Sequence, residues 1–262
     1  MLKGIICPAD KKISSLPEFR KCQNCSSPCM PLPIVYSLIS DKKFEKGIYH
    51  VTELLKPVRI TYLQRKYDYN VKLNGLVNMM VGTAVHALFA EQRNKVENFI
   101  FEPDTNFEVE IFPGVKLSGT PDLYDVKNKI IYDYKVVKKY EVSKMLEGQG
   151  LDAYTYQLNI YKTYKFPEAK KLTLVAVVKD FVANDEFVSD VKSSIMQISI
   201  KIIEPKNVKK FVENKIKYLD DVVNGREPVP MCSKEENWGE RRCLSYCDVV
   251  ELCKKESENG NN

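Results

Sequence analysis

The sequence predicts a mixed α/β core, a small sheet with helices on its faces, set between two cysteine-rich ends. Three observations predict it. Alternating, strand-like segments follow one another between residues 107 and 137. Segments with helical apolar spacing precede and follow them, and none of the eight cysteines falls between Cys29 and Cys232. A chain of 262 residues with 44% hydrophobic content can form one elaborated domain or a core domain with small appendages, and its composition excludes a disordered chain.

Residues 1–50 read as irregular, because Pro8, Pro17, Pro28, Pro31 and Pro33 break any long helix. Regular structure is expected from Val51, where Thr52 caps a helix through Leu63, interrupted or started afresh at Pro57. After a polar loop, Leu76 to Asn98 carries Val77, Val81, Val85, Leu88 and Phe89 at helical spacing. Phe107 to Phe112 alternates, Pro113-Gly114 turns the chain, and Val115 to Asp125 is a second strand. Lys127-Asn128-Lys129 reads as a tight turn into a third strand, Ile130 to Val137. A helix from about Ser143 to Tyr164 follows, then strands Leu172 to Val178 and Met196 to Ile203. Lys206 to Asn224 is amphipathic, with Val208, Phe211, Val212, Ile216, Leu219 and Val223 on one side, ended by Gly225 and Pro228. A polar, frayed terminus is expected from Glu256 to Asn262.

The longest clean apolar run, Leu172 to Val178, is far short of the roughly 20 residues a membrane span needs. Met1 to Cys7 is too short for a secretory signal, and Lys11 and Lys12 follow it. The expected location is the cytoplasm, with no membrane partner. There, eight cysteines point to metal ligation rather than four disulfides. A net charge of +5 permits nucleic-acid binding without requiring it.

The informative segment is Gly119-Thr120-Pro121-Asp122 followed by Tyr132-Asp133-Tyr134-Lys135. With the turn centred on Asn128, Asp122 falls across from Tyr134, beside Asp133 and Lys135. Those two are two apart on one strand and share a face. Paired carboxylates repel unless a cation sits between them, and oxygen-rich clusters suit Mg²⁺ or Mn²⁺. A solvent-exposed charged hairpin is the bland alternative. It leaves unexplained why Asp133 interrupts the apolar run from Ile130 to Val137, where a charge without a partner is costly.

Two further pieces flank the sheet. Gly82 and His86 lie on the preceding helix; Gln157 and Tyr161, at i and i+4, project from one face of the following helix. Alone, His86 beside Val85 and Leu88 reads as a core histidine, and the Gln157/Tyr161 pair carries nothing. In this order, however, the four pieces resemble the RecB-like branch of the PD-(D/E)XK nuclease superfamily. That branch includes the AddB nuclease domain and the CRISPR-associated iron–sulfur exonucleases (the Cas-four group). The resemblance spans about residues 51 to 253 and implies a restriction-endonuclease-like core: a mixed central sheet flanked by helices, with cysteine-rich metal-binding extensions at both ends. It makes His86, Asp122 and Asp133 metal ligands, with the Val136 carbonyl completing the shell. It makes Lys135 the group that orients or helps deprotonate the attacking water, and it has Gln157 and Tyr161 position the strand. One departure stands out. The family often carries an acid four residues after the histidine; here that position is Ala90, and the acid is Glu91.

The tail cysteines Cys232, Cys243, Cys247 and Cys253 end in a Cys-x5-Cys spacing similar to the iron–sulfur staple of the same branch. There one cysteine usually precedes the nuclease core, but Leu54 to Arg59 has none, so Cys232 or a residue of the first cluster is left as the fourth ligand. Thiolate quartets suit either Zn²⁺ or a [4Fe–4S] cluster; the resemblance favours iron. Cys7, Cys22, Cys25 and Cys29, with a CxxC at their centre, suit a tetrahedral Zn²⁺ site holding a segment too irregular for its own core.

These readings divide the chain into a zinc-binding segment (1–50), a nuclease core (51–225) and an iron–sulfur tail (226–262). The expected activity is metal-dependent DNA hydrolysis, exonucleolytic or end-trimming, with a preference for single strands or free ends. Two alternatives remain: a non-catalytic DNA-binding or assembly module, and a restriction-type endonuclease. The joint presence of His86, Asp122, Asp133 and Lys135 speaks against the first; the Gln157/Tyr161 pair and terminal cysteines speak against the second. No helicase motif is present, so any processive unwinding is expected from another chain; DNA repair or recombination with a helicase, and CRISPR adaptation with its proteins, are equally compatible with these residues.

Overall fold

The computed structural model describes residues 2–7, 13–15, 44–182 and 190–259. Its elements in order are β1 (Leu2–Ile6), β2 (Ile13–Ser15), β3 (Ile48–His50), α1 (Val51–Leu54), α2 (Val58–Lys66), β4 (Tyr69–Lys72), α3 (Leu73–Ala90) and β5 (Phe99–Phe101). There follow β6 (Phe107–Phe112), β7 (Val115–Gly119), β8 (Leu123–Asp125), β9 (Ile130–Val137), α4 (Lys139–Leu146) and α5 (Asp152–Tyr164). The chain closes with β10 (Lys171–Val178), β11 (Ile195–Ile200), α6 (Pro205–Val223), α7 (Arg241–Ser245) and α8 (Val250–Asn259). Among the described residues, no helix is long and apolar enough to cross a membrane.

The chain forms two compact units. One holds Gly47–Leu55 and Gly82–Ile216; the other holds the described parts of Met1–Lys46, with Lys56–Val81 and Lys217–Asn262. Strand β4 pairs in parallel with β1, which ties the 56–81 segment to the amino terminus.

In the Gly82–Ile216 unit a five-stranded sheet runs β11-β10-β9-β8-β5, and a three-stranded sheet runs β3-β7-β6. Strands β9 and β10 are parallel and the other neighbours in the larger sheet antiparallel, so the sheet is mixed. A parallel pair needs a crossover, and α4 and α5 supply it, packing on β10 and on β9 to β11. The mixed α/β core with helices on its sheet is thus as the sequence indicates. Ile131, Leu174, Ala176, Leu158 and Ile160 are fully excluded from solvent. Leu174→Ala is expected to cost about 2–5 kcal/mol, read as a lower denaturant midpoint at unchanged slope.

Several boundaries differ from expectation. The strand anticipated from Val115 to Asp125 is two strands in two sheets, because Pro121 has no amide hydrogen to extend the ladder. Gly119 is required at the end of β7: a Cβ there would lie 2.8 Å from Phe107 Cε1 and Val51 Cγ2. The single helix expected over 143–164 is α4 and α5, separated where Gly148 and Gly150 take left-handed φ values of 79° and 70°. Helix α3 ends at Ala90, with a 3₁₀ turn from Glu91 to Asn94. On α6, Val222 rather than Val223 is buried with Val208, Val212, Ile216 and Leu219, and Phe211 stacks on Tyr156.

In the other unit β1 joins β2 antiparallel and β4 parallel, so part of the stretch expected to be irregular is a three-stranded sheet. The helix does start afresh at Pro57, whose carbonyl accepts the Ile60 and Thr61 amides. Thr52 is not a cap; His50 and Glu53 close the start of α1 instead. The terminus is helical to Asn259 rather than frayed from Glu256, whose carboxylate accepts the Tyr67 hydroxyl at 2.6 Å.

Candidate functional site

Asp122 sits in the break between β7 and β8, where the chain leaves one sheet for the other. Leu123 pairs with Tyr132, one residue away from the register expected from the sequence. Continuing that register puts Asp122 level with Asp133 rather than Tyr134. The carboxylate reaches Tyr134 all the same: Asp122 Oδ2 accepts its amide at 2.6 Å.

Three elements converge there. From α3, His86 places Nδ1 at 3.2 Å from Asp122 Oδ1 and 3.9 Å from Glu102 Oε2, just beyond β5. Its Nε2 lies 3.2 Å from the Tyr134 carbonyl oxygen. The hydrogen bonds of Asp122 and then Glu102 push the imidazole pKa up to about 10, against the opposing effect of burial. One ligand atom from each of His86, Glu102 and Asp122 lies within 4.8 Å of the others. Among the described residues this is the one such group of His, Cys, Asp or Glu. One nitrogen and carboxylate oxygens form a donor set suited to a hard divalent cation.

On β9, Asp133 is 1% exposed and Lys135 a quarter exposed on its side chain, with Oδ2 and Nζ 2.5 Å apart. Their approach lacks hydrogen-bond geometry, so Asp133 Oδ2 is a buried oxygen without a hydrogen-bond partner. Burial pushes the Asp133 carboxyl up, which the Lys135 ammonium opposes. Burial would lower Lys135, but the Asp133 and Asp122 carboxylates outweigh it and leave the ammonium pKa raised. Lys135 Nζ also donates to the Tyr134 carbonyl at 3.2 Å.

Gln157 and Tyr161 lie on one face of α5 as expected, but they face Asp133 rather than an open strand path. Gln157 Nε2 donates to Asp133 Oδ1 and to the Tyr161 hydroxyl, each at 3.0 Å, and both residues are buried. Tyr161 packs edge-on against Phe107. Both side chains are thus held in the interior, with Gln157 bridging Asp133 and Tyr161.

The sequence also missed two groups. Glu102 carries no motif; its only signal is an acid closing the apolar triplet Phe99–Phe101. The carbonyl meeting His86 and Lys135 belongs to Tyr134, while Val136 lies two residues further along β9, paired with Val177. Glu91 lines a cavity of about 560 Å³ that includes His86 and Glu102, but it is not in the ligand group.

Among the cysteines, Cys22, Cys25 and Cys29 lie outside the described residues. Cys7, Cys232, Cys243, Cys247 and Cys253 are half-buried free thiols. Burial raises Cys232 to about 11, and after Glu236 the other three tail cysteines add to the rise, so the four share one neighbourhood. Their sulfurs are not drawn to ligand spacing. Arg59 reaches into this group: Nε donates to Cys253 Sγ at 2.8 Å and Nη2 to the Cys253 carbonyl at 3.1 Å. Arg59 belongs to the very stretch where an early cysteine was expected.

No family model and no curated protein matches the sequence. Among solved structures the chain is similar to that of SSO0001, at 18% identity and a TM-score of 0.50, over 81% of this chain and 89% of that one. It is also similar to a phage-related exonuclease from Haemophilus somnus 129PT, at 14% identity and a TM-score of 0.41, over 65% and 82%. At its identity, the first likeness shows a shared fold alone.

Proposed function

We propose that the protein is a divalent-metal-dependent nuclease of the PD-(D/E)XK type, hydrolysing phosphodiester bonds of DNA from ends and preferring single strands. The observation that carries this reading is the convergence of His86, Glu102 and Asp122 beside buried Asp133 and its ion-pair partner Lys135. His86, Glu102 and Asp122 would hold Mg²⁺ or Mn²⁺, and Asp133, outside that close group and ion-paired through Oδ2 with Lys135, would add a further carboxylate. A cation bound there would lower the pKa of water and polarise the scissile phosphate. Lys135, fixed between Asp133 and the Tyr134 carbonyl, orients the attacking water and offsets charge on the phosphorane oxygens. Gln157 and Tyr161 keep Asp133 in place.

Digestion of end-labelled single- and double-stranded DNA tests this. Cleavage is expected with Mg²⁺ or Mn²⁺, faster on single strands, and cleavage that persists in chelator would sink the mechanism.

The tail quartet is read as ligands of a [4Fe–4S] cluster and the first quartet as a zinc site, since soft thiolates suit both ions. Elemental analysis of anaerobically purified protein should find iron lost in Cys247→Ser/Cys253→Ser and zinc lost in Cys22→Ser/Cys25→Ser. Two zinc ions in colourless protein would make the tail a second zinc site.

A further inference from the structure

Between Cys232 and Cys243 the tail is wound tightly on itself. The Asn237, Trp238 and Gly239 amides bond back to the Ser233, Glu235 and Lys234 carbonyls. Trp238, Gly239 and Glu240 then take successive left-handed φ values of 56°, 60° and 74°. Glycine accepts this freely; a bulky tryptophan is a true outlier there, and such strain collects at functional positions. The strain does not serve burial. Trp238 is 50% exposed and Tyr246 58% exposed, their rings meeting at 5.7 Å and 64°. The Arg242 guanidinium lies 4.1 Å from the centre of the Trp238 ring, and that of Arg241 lies 5.8 Å from the Tyr246 ring. The Arg242 guanidinium thus lies over the indole, and half of the Trp238 surface remains exposed. Two nearby acids are tied locally to Ser233, whose amide donates to Glu236 and whose hydroxyl donates to Glu235.

We infer that Trp238 and Tyr246 form a stacking platform for the bases of single-stranded nucleic acid, with Arg241 and Arg242 meeting its phosphates. Exposed π-faces interleaved with guanidinium groups suit unpaired bases on a charged backbone, and a duplex hides those base faces. The choice of nucleic acid rests on the nuclease reading; the platform itself rests on the tail.

Trp238 is the chain's single tryptophan, so its fluorescence reports on the platform directly. Titration of the full chain with an oligothymidylate of about 16 nucleotides, without added divalent metal, should quench it saturably. Blunt duplex of equal length should quench it little. By anisotropy of a labelled strand, Trp238→Gly and Tyr246→Ala should each raise Kd about tenfold, with Trp238→Phe close to wild type. Trp238→Gly also removes the strained Cβ, so its thermal midpoint should not fall, as it would if the indole were structural. Unchanged emission while anisotropy shows strand binding would overturn the platform and leave the nuclease reading standing. Equal quenching by duplex, or unchanged affinity in Trp238→Gly, would also overturn it. Quenching by protein that fails the digestion assay would support the platform and remove the nuclease reading.

Discussion

Asp122→Asn is expected to abolish DNA cleavage while leaving the fold standing. Asp122 uses its two oxygens differently: Oδ1 lies 3.2 Å from His86 Nδ1, where it would serve the proposed ion, and Oδ2 accepts the buried Tyr134 amide. Asparagine keeps an acceptor for that amide, avoiding the roughly 1–3 kcal/mol that an orphaned buried donor costs. It removes the negative charge that a divalent ion needs. Losing several kcal/mol of metal-derived stabilisation of the transition state lowers the rate by roughly 10³-fold or more. Asp122→Ala should be equally inactive but should melt earlier in denaturant, because it loses the amide contact as well. Glu102→Gln, at the more exposed edge, should weaken Mn²⁺ binding about tenfold, measured by calorimetry. An Asp122→Asn protein that digests DNA at the wild-type rate would refute the ligand assignment.

How much of this centre was legible follows from which distances are local. Asp133 and Lys135 are two apart on a strand, so alternation alone puts them on one face, and a charge inside an apolar run announced a partner. The hairpin joined Asp122 to them because its turn is short, although the register was misjudged by one residue. That error was harmless here because the Asp122 carboxylate reaches the next amide along the strand. Glu102 was not legible. Its place depends on β5 pairing with β8, and a three-residue strand shows no periodicity of its own. The direction of Gln157 and Tyr161 was half legible: i and i+4 fixed their shared face, but only packing decided that the face is buried against Asp133. The Val136 carbonyl was chosen by resemblance, where the structure presents that of Tyr134. The split of the 143–164 helix was written in Gly148 and Gly150, two left-handed residues that flank Gln149.

Lys135→Met should lower the cleavage rate by roughly 10²–10³-fold, the usual worth of a single charge-stabilising group, without abolishing metal binding. Its more telling effect is on stability without metal. Asp133 is 1% exposed, its Oδ2 has no hydrogen-bond partner, and Lys135 is the ammonium that offsets it. Removing that ammonium leaves burial and the Asp122 charge, both of which push the Asp133 carboxyl up. Breaking a buried pair from one side costs about 3–5 kcal/mol. A carboxyl whose folded pKa exceeds its unfolded value contributes stability below the unfolded pKa and loses it as pH rises. The deficit should therefore be largest at neutral pH and shrink toward about pH 4. Mn²⁺ supplies the missing positive charge, so the variant should regain more stability from the ion than the wild type does; at a hundredfold excess over Kd the gain is about 2.7 kcal/mol. Denaturant midpoints at neutral and acidic pH, with and without Mn²⁺, measure all of this. A Lys135→Met protein as stable as wild type at neutral pH without metal would mean that Asp133 is not held as a buried anion, and its place among the metal's ligands would fall with it.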